Sequence, residues 1–286
     1  MNKRTLYDWQ CGSRTLKLGE RTLVMGILNV TPDSFSDGGH FIDPDDAVDR
    51  ALEMIIQGAD IIDIGGESTR PGADPVSAED EIRRTVPVIE KIRAQSDVPI
   101  SIDTTKSTVA KLALEAGADM INDISAFESD PDMAGLAAES GAGVILMHMK
   151  GTPRTMQSNP DYGNVIEEVC DYLKARIDVA IQHGVARERI VIDPGIGFGK
   201  TLGHNLALLR GLPALAECGH PILIGASRKS FIGQLTGRTA PIDRRAGSLG
   251  AAAWAVANGT HILRVHDVLD TCDVCRLLDT FISGDK

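Results

Sequence analysis

The sequence predicts a single α/β domain, a (β/α)8 barrel of the TIM type with a short N-terminal hairpin. Three observations favour this fold: a length of 286 residues, eight short apolar runs rich in Ile and Val, and an amphipathic segment after each run. Parallel strands that are covered by helices are hydrophobic almost without interruption, which is the pattern of these runs. One such barrel takes about 250 residues and accounts for nearly the whole chain.

Each apolar run is expected to form one strand. In chain order the runs are Leu23–Val30, Ile61–Gly66, Ile100–Thr104, Met120–Ser125, Val144–Met149, Ile190–Pro194, Ile222–Ala226 and Ile262–His266. The helices between them carry start and stop signals. Helix starts are indicated by Asp43-Pro44, Ser77 and Asp130-Pro131, and helix ends by Gly58, Gly117, Gly141, Gly184 and Gly259.

The alternative fold is an open, doubly wound sheet, because both architectures alternate strands with helices. Eight units without a Pro/Gly/Ser-rich linker or a shift in composition favour the closed barrel, which is assigned to residues 22–282 of one domain spanning 1–286. In residues 1–21, Cys11-Gly12 separates two short runs. This segment is expected to form a hairpin that closes the bottom of the barrel.

The charge balance excludes large anionic partners. The net charge is −11, from 29 Lys and Arg against 40 Asp and Glu. This is the wrong sign for a surface that binds nucleic acid or an anionic membrane. An anionic ligand must therefore be bound by a local cluster of cations.

Cysteine usage and the N-terminal sequence predict a cytoplasmic location. The five cysteines are scattered, which fits reduced thiols better than a disulfide framework. Cys272 and Cys275 form one C-x-x-C, interpreted as two thiols on one face of the last helix rather than as a zinc or redox site. The N-terminus has no apolar leader, and no apolar stretch approaches the length of a membrane span.

Polar residues follow nearly every predicted strand, where the active site of a (β/α)8 barrel lies. They are Asn29, Asp63, Glu67, Asp103, Asn122, Asp123, His148, Asp193, Ser227, Arg264 and His266. Any one of them alone is as well explained as a helix cap or turn residue. Arg264 and His266 are two residues apart on one strand, so they share a face, and two cations there call for an anion.

Four loops have unusual compositions. Residues 29–39 are polar, end in two glycines and are predicted to form a mobile lid. Residues 65–72 expose Arg70 among hydroxyls, and residues 225–231 bring Arg228, Lys229 and two serines to a helix start, which favours an anion. Residues 195–200 lack the spacing of a phosphate-binding P-loop, and their glycines are expected to let a flat ligand approach beside Phe198.

Seven segments together resemble the dihydropteroate synthase family, the folate-pathway enzymes that join a pterin diphosphate to p-aminobenzoate. The segments occur in the family's order across almost the whole chain: Asn29–Gly39, Ile62–Ala73, Ser101–Thr104, Ile121–Ser125, Asp193–Lys200, Gly225–Gly233 and Arg264–Asp267. The combination is specific, and the motif positions show no departure that suggests a degenerate relative.

The resemblance implies a role for each matching residue. The pterin would be bound by Asp103, Asn122 and Asp193 as acceptors, Lys229 as donor, and Met147 with Ile124 as an apolar floor. Its diphosphate would be held by Thr69, Arg264 and His266, with Mg²⁺ at Asn29. The p-aminobenzoate pocket would comprise Arg70, Pro71, Phe198, Ser230 and Phe231. The catalytic residues would be Asp103, Asp193, Lys229, Arg264 and His266, whereas His148 and Asp63 receive no role.

The implied reaction is displacement of diphosphate from the pterin CH₂ group by the arylamine, with diphosphate leaving first. Two alternatives are a methyltransferase of the same barrel superfamily, which passes a methyl group from a folate to a corrinoid protein, and a non-catalytic pterin-binding paralogue. The family is usually dimeric, which favours a homodimer. The helix expected at Arg244–Asn258 has a small apolar face for packing on the barrel or on a second subunit.

Overall fold

Eight parallel strands form a closed barrel in the computed structural model, which describes residues 4–31, 44–70 and 72–284. The strands are β1 (Tyr7–Cys11), β2 (Arg14–Leu18), β3 (Leu23–Asn29), β4 (Ile61–Gly65), β5 (Ile100–Asp103), β6 (Met120–Asp123), β7 (Gly143–Met147), β8 (Ile190–Asp193), β9 (Leu223–Ile224) and β10 (Ile262–Val265). The barrel order is β8-β7-β6-β5-β4-β3-β10-β9, and a parallel bridge between Ile192 and Ile222 joins its ends. All eight predicted runs form strands, and the closed barrel is confirmed over the open sheet.

The register of the strands brings their polar ends to one level. Asn29 pairs with Gly65, Gly65 with Asp103, and Asp103 with Asn122. Because parallel strands carry their carboxyl ends at the same edge, these polar side chains open onto one mouth of the barrel.

Ten α-helices lie in the described parts of the chain: α1 (Pro44–Ile56), α2 (Ala78–Arg93), α3 (Ser107–Glu115), α4 (Met133–Ser140), α5 (Val165–Gln182), α6 (Leu202–Arg210), α7 (Leu212–Ala216), α8 (Ser230–Thr236), α9 (Arg245–Ala257) and α10 (Val268–Ser283). The predicted cap at Ser77 is confirmed, since its side chain accepts from the amide of Asp80 at 3.1 Å. All five predicted helix-ending glycines have positive φ.

The helix predicted to begin at Asp130-Pro131 begins instead at Met133. The Asp130 carboxylate accepts hydrogen bonds from the amides of Ser107 at 2.7 Å and Asp132 at 3.0 Å. These bonds hold the segment as a turn against the start of α3, and the helix follows it.

The N-terminal hairpin plugs the bottom of the barrel, as predicted. β1 and β2 pair antiparallel, and the side chains of Trp9 and Cys11 are fully buried. They pack on the apolar residues that begin the barrel strands, among them Met25, Ile61 and Ile145. The indole N–H of Trp9 donates to the carbonyl of Arg189 at 2.8 Å.

A larger apolar core lies between the barrel strands and the surrounding helices.

Cys272 and Cys275 are buried on α10, and all five cysteines are free thiols, as expected. None of the described helices has the length and hydrophobicity to cross a membrane. The barrel interior is thus apolar at the hairpin end and polar at the opposite end, which fixes where a ligand can enter.

Candidate active site

Arg264 is clamped between two carboxylates inside the barrel. Its Nε donates to Asp63 Oδ2 at 2.6 Å, and its Nη2 donates to Asp103 Oδ2 at 2.5 Å. The amide nitrogen of Asn122 also points to Asp63, with distances of 3.3 and 3.4 Å to the two carboxylate oxygens. These side chains come from four different strands, so the barrel itself fixes the guanidinium. Three of its five N–H donors remain for a ligand.

Burial shifts the pKa values of three titratable groups here, Asp103, Asp193 and Lys229, toward neutrality. It raises the pKa of Asp103 to about 7, against the lowering effect of Arg264, and the nearby Asp63 raises it further. Burial likewise raises the pKa of Asp193 to about 6, although the amide of Gly195 donates to its Oδ1 at 2.7 Å. For Lys229, burial and then repulsion by Arg264 lower the pKa to about 8. Such shifts are typical of functional sites.

His266 is neutral, so the expectation of two cations on β10 and its following residue is wrong. Burial lowers the pKa of His266 to about 3, and the neighbouring Arg228 adds to the shift. Its Nδ1 lies 3.1 Å from the hydroxyl oxygen of Ser227. The imidazole therefore offers a ligand a hydrogen bond rather than a charge.

Arg228 lines the cavity, as the sequence indicates, but it is also paired with a carboxylate. Its Nη2 donates to Asp267 Oδ1 at 2.6 Å, and its Nε donates to Oδ2 of the same carboxylate at 3.1 Å. Arg244 donates to the carbonyl of Arg228 at 2.9 Å. Arg228 also has a positive φ of 57°, a conformation that these contacts support. Its charge is thus used to hold the loop before α8.

A cavity of about 400 Å³ opens at this mouth, and it collects half of the predicted binding residues. A volume in this range suits a small organic ligand. Its lining includes seven residues of the sequence-based site: Asn29, Thr69, Arg70, Lys229, Ser230, Arg264 and His266. Asp193 lies at its edge, with Oδ2 close to Gly225 of the lining.

An apolar cluster lies beside the cavity, and its member Met156 lines the cavity. Ile124, Met147 and Phe198 pack together with Met156, and the ammonium nitrogen of Lys229 lies 4.0 Å from the centre of the Phe198 ring. Phe231, in contrast, is buried in the main core on α8. Phe198 therefore contacts Lys229 of the cavity lining, whereas Phe231 lies in the main core and supports the helix.

The model for pterin binding enzymes matches residues 25–266 of this chain. The curated dihydropteroate synthase of Synechocystis is 49% identical over 276 residues, which covers 96% of this chain and 92% of that protein. The Escherichia coli dihydropteroate synthase is also 49% identical, over 91% of this chain and 92% of its own length. This chain belongs to the dihydropteroate synthase family.

Solved structures of dihydropteroate synthases superpose closely on this member of the family. The Xanthomonas albilineans enzyme with 4-aminobenzoic acid has a TM-score of 0.90 and 45% identity, covering 97% of this chain and 98% of that one. The same enzyme in complex with 7,8-dihydropteroate has a TM-score of 0.87 and 43% identity, with 96% and 98% covered. The predicted fold and family function are confirmed, and these relatives give no support to the methyltransferase or the non-catalytic paralogue.

The sequence gives Asp63 no role and does not single out two further residues of this dihydropteroate synthase site. Asp63 alternates with Ile62 and Ile64 on β4, and that alternation was the signal that its carboxylate faces the barrel interior. Met156 and Arg244 line the cavity: Met156 lies in a turn after β7, Arg244 ends a 3-10 helix before α9, and no local pattern shows that either reaches the cavity. Pro71 and residues 32–39 of the predicted lid lie outside the described residues.

Proposed function

We propose that this chain condenses 6-hydroxymethyl-7,8-dihydropterin diphosphate with p-aminobenzoate, giving 7,8-dihydropteroate and diphosphate. The observation that carries the proposal is a cavity lined by donors at the mouth of the barrel, with the buried carboxylates of Asp103 and Asp193 beside it, in a chain of this family. The two parts of this substrate need these two kinds of group. The pterin presents N–H donors and needs acceptors, whereas the diphosphate is an anion and needs donors.

The pterin ring fits the inner end of the cavity. Its edge of N–H donors resembles a guanidine, and the Asp193 carboxylate supplies acceptors for such an edge. Asn122 and Asp103 complete the polar surface, and Lys229 donates to the ring carbonyl and the adjacent nitrogen. Met147 and Ile124 cover the flat face of the ring, consistent with their place in one apolar cluster.

The diphosphate fits the mouth, where Arg264, His266 and Thr69 line the cavity. The described residues contain no group of three or more His, Cys, Asp and Glu side chains suited to a metal ion. Half-buried Asn29 on the cavity wall fits a Mg²⁺ that keeps most of its waters and is bound mainly by phosphate oxygens. When bound, Mg²⁺ would neutralise charge on the departing diphosphate.

The reaction needs no covalent bond to the protein. The C–O bond to the pterin CH₂ group breaks first, and its electron pair leaves with diphosphate, toward the donors of Arg264 and His266. The cation left on the pterin is delocalised over the ring and is stabilised by the Asp103 and Asp193 carboxylates. The amine lone pair of p-aminobenzoate then forms the new C–N bond, and the amine proton passes to solvent.

The p-aminobenzoate pocket is placed beside Arg70, Ser230 and Phe198, with Pro71 as its further predicted member. Arg70 and Ser230 line the outer part of the cavity, where a carboxylate remains in contact with water. Phe198 supplies an aromatic face for the ring of the arylamine.

A homodimer is part of the proposal, and it rests on the outer face of the last helices. Trp254 on α9 is 49% exposed, and Leu269, Leu277 and Phe281 on α10 are at least as exposed. Helices α9 and α10 pack together, so these residues lie on neighbouring helices. Sedimentation of the wild-type chain should give twice the monomer mass, and Leu277→Lys should shift it toward the monomer. A cytoplasmic location is also proposed, in keeping with the five free thiols.

Diphosphate release under single-turnover conditions tests the proposed reaction. With the pterin diphosphate, Mg²⁺ and p-aminobenzoate, one diphosphate should appear for each dihydropteroate formed. A non-catalytic paralogue would bind the pterin and release nothing. A methyltransferase would instead transfer the methyl group of a methylated folate to a corrinoid protein, and either result would contradict the proposal.

A further inference from the structure

The glycine-rich loop after β8 is held by side chains at every carbonyl from Gly197 to Gly199. Gln157 Nε2 donates to the carbonyl of Gly197 at 2.8 Å, and the Tyr162 hydroxyl donates to that of Gly199 at 2.9 Å. Between them, Lys200 Nζ donates to the carbonyl of Phe198 at 2.9 Å. The loop carrying the aromatic wall of the site is thus fixed from its backbone.

The loop lies directly against the segment that follows β7. Gly195 has a φ of 67°, and a Cβ atom placed there would be 1.9 Å from the carbonyl oxygen of His148. Gly199 has a φ of 62°, and its Cβ would be 2.4 Å from the carbonyl oxygen of Lys150. Only glycine permits this approach, which brings Lys200 next to His148.

Lys200 is buried, and its hydrogen bonds go to uncharged partners. Its side chain is 3% exposed, with Nζ at 2.9 Å from His148 Nδ1 and 3.4 Å from the His148 carbonyl oxygen. Burial lowers the pKa of Lys200 to about 7. Burial and the neighbouring Lys200 lower the pKa of His148 to about 3, so its imidazole is neutral and Nδ1 accepts. Burying an amine in this way costs free energy that its geometry must offset.

The position of this loop determines the wall that faces the ligand. The Phe198 ring lies 4.0 Å from Lys229 Nζ, and a Cβ atom on Gly197 would be 3.0 Å from Lys229 Cδ. A displacement of the loop by a few tenths of an ångström therefore moves the Phe198 ring, whereas Lys229 is carried by a separate loop at the start of α8.

We propose that Lys200 is a positioning residue that fixes Phe198 for the arylamine by linking its carbonyl to His148. It acts through Phe198 and touches neither substrate. The inference rests on the proposed function, because it takes Phe198 as part of the p-aminobenzoate pocket. It predicts a selective effect: Asp193 and Asn122 are on β8 and β6 rather than on this loop, so the pterin should bind almost normally without Lys200.

The test compares Lys200→Met with Lys174→Met. Both remove an amine, but Lys174 is exposed on α5 and lines no part of the cavity described above. For Lys200→Met we expect the KM for p-aminobenzoate to rise about tenfold, because small misplacements of a binding group are costly. The dissociation constant of the pterin should change less than twofold, and Lys174→Met should match the wild type in both.

The partner residue provides a rescue experiment that does not depend on Lys200→Met folding. In His148→Asn the amide oxygen takes the place of Nδ1 as an acceptor, whereas His148→Leu removes it. His148→Leu should raise the KM for p-aminobenzoate as Lys200→Met does, and His148→Asn should restore it to within about threefold of the wild type. The midpoint of thermal unfolding, measured for every variant, separates positioning from loss of fold.

Three results would overturn the inference. One is an unchanged KM in both Lys200→Met and His148→Leu. Another is an equal loss of affinity for the pterin and for the arylamine that increases as the midpoint of thermal unfolding falls. That result would show a merely structural role. A third is equal behaviour of His148→Asn and His148→Leu. If instead the wild-type protein forms no dihydropteroate, the proposed function fails, and this outcome is distinguishable from all three.

Discussion

Asp63→Asn is the most informative single change at the site. It replaces a fully buried carboxylate by an amide of the same shape, so packing is retained while one partner of Arg264 loses its charge. Breaking a buried ion pair costs about 3–5 kcal/mol when the remaining charge has no other partner. Arg264 still has Asp103 at 2.5 Å, and the amide oxygen still accepts. We therefore expect the free energy of unfolding to fall by about 2 kcal/mol.

The same change has a defined pH dependence. Burial raises the pKa of Asp103 to about 7, above that of an unfolded chain, and the charge of Asp63 adds to the rise. The native state therefore holds this proton more tightly, so the contribution of Asp103 to stability is largest at low pH and is lost as the pH rises toward 7. Without the charge of Asp63, the pKa of Asp103 falls and this loss occurs at lower pH.

The assay is urea unfolding between pH 5 and 8, followed by tryptophan fluorescence, together with kcat/KM at each pH. The matched control is Asp80→Asn, which removes a carboxylate from the exposed pair with Arg83 and should cost under about 1 kcal/mol. Because Arg264 loses one of its two anchors, kcat/KM for Asp63→Asn should fall about a hundredfold. The reasoning is refuted if Asp63→Asn matches Asp80→Asn in stability and activity.

The remaining predictions concern the carboxylate, the loop and the hairpin. Pterin affinity should weaken as the pH falls below about 6, because protonation removes the negative charge of the Asp193 carboxylate. Fluorescence titration of the wild type measures this affinity, and an affinity that does not change with pH would contradict the prediction. Arg228→Met should lower the unfolding free energy by about 3 kcal/mol, since it leaves Asp267 without its partner, while the pterin dissociation constant stays within about twofold; a large loss of pterin affinity would return Arg228 to the binding residues. Trp9→Ala should cost about 3–5 kcal/mol in urea unfolding with KM values unchanged, because the hairpin packs at the opposite end of the barrel; a changed KM would argue against that separation.

The sequence predicts the fold of this protein well because the strands and helices are defined by local patterns. The run at Ile190–Pro194 is apolar, begins after a turn and ends in an Asp, and the structure has β8 at Ile190–Asp193. Ser77 is the cap residue of α2 in the sequence-based prediction and in the structure. The exception at Asp130 arises from a bond to Ser107, a contact between two segments that no local pattern contains.

The site is predicted less completely, because charge and contact depend on residues distant in the chain. Arg264 is correctly placed at the mouth, but its partner Asp63 is 201 positions away and was assigned no role. His266 is neutral because of burial, which the pattern around it does not show. Arg228 lines the cavity, as its cationic loop indicates, but only the fold reveals its ion pair with Asp267.

The central claim is that the bond broken lies between the pterin CH₂ carbon and the diphosphate oxygen. It is tested most directly with pterin diphosphate labelled with ¹⁸O at that bridging oxygen, in a single turnover with Mg²⁺ and p-aminobenzoate. We expect all the label to leave in diphosphate, with an equal amount of 7,8-dihydropteroate formed by the wild type. Asp193→Asn should form far less of both products. Label retained in a pterin alcohol, which requires cleavage at phosphorus, would contradict it.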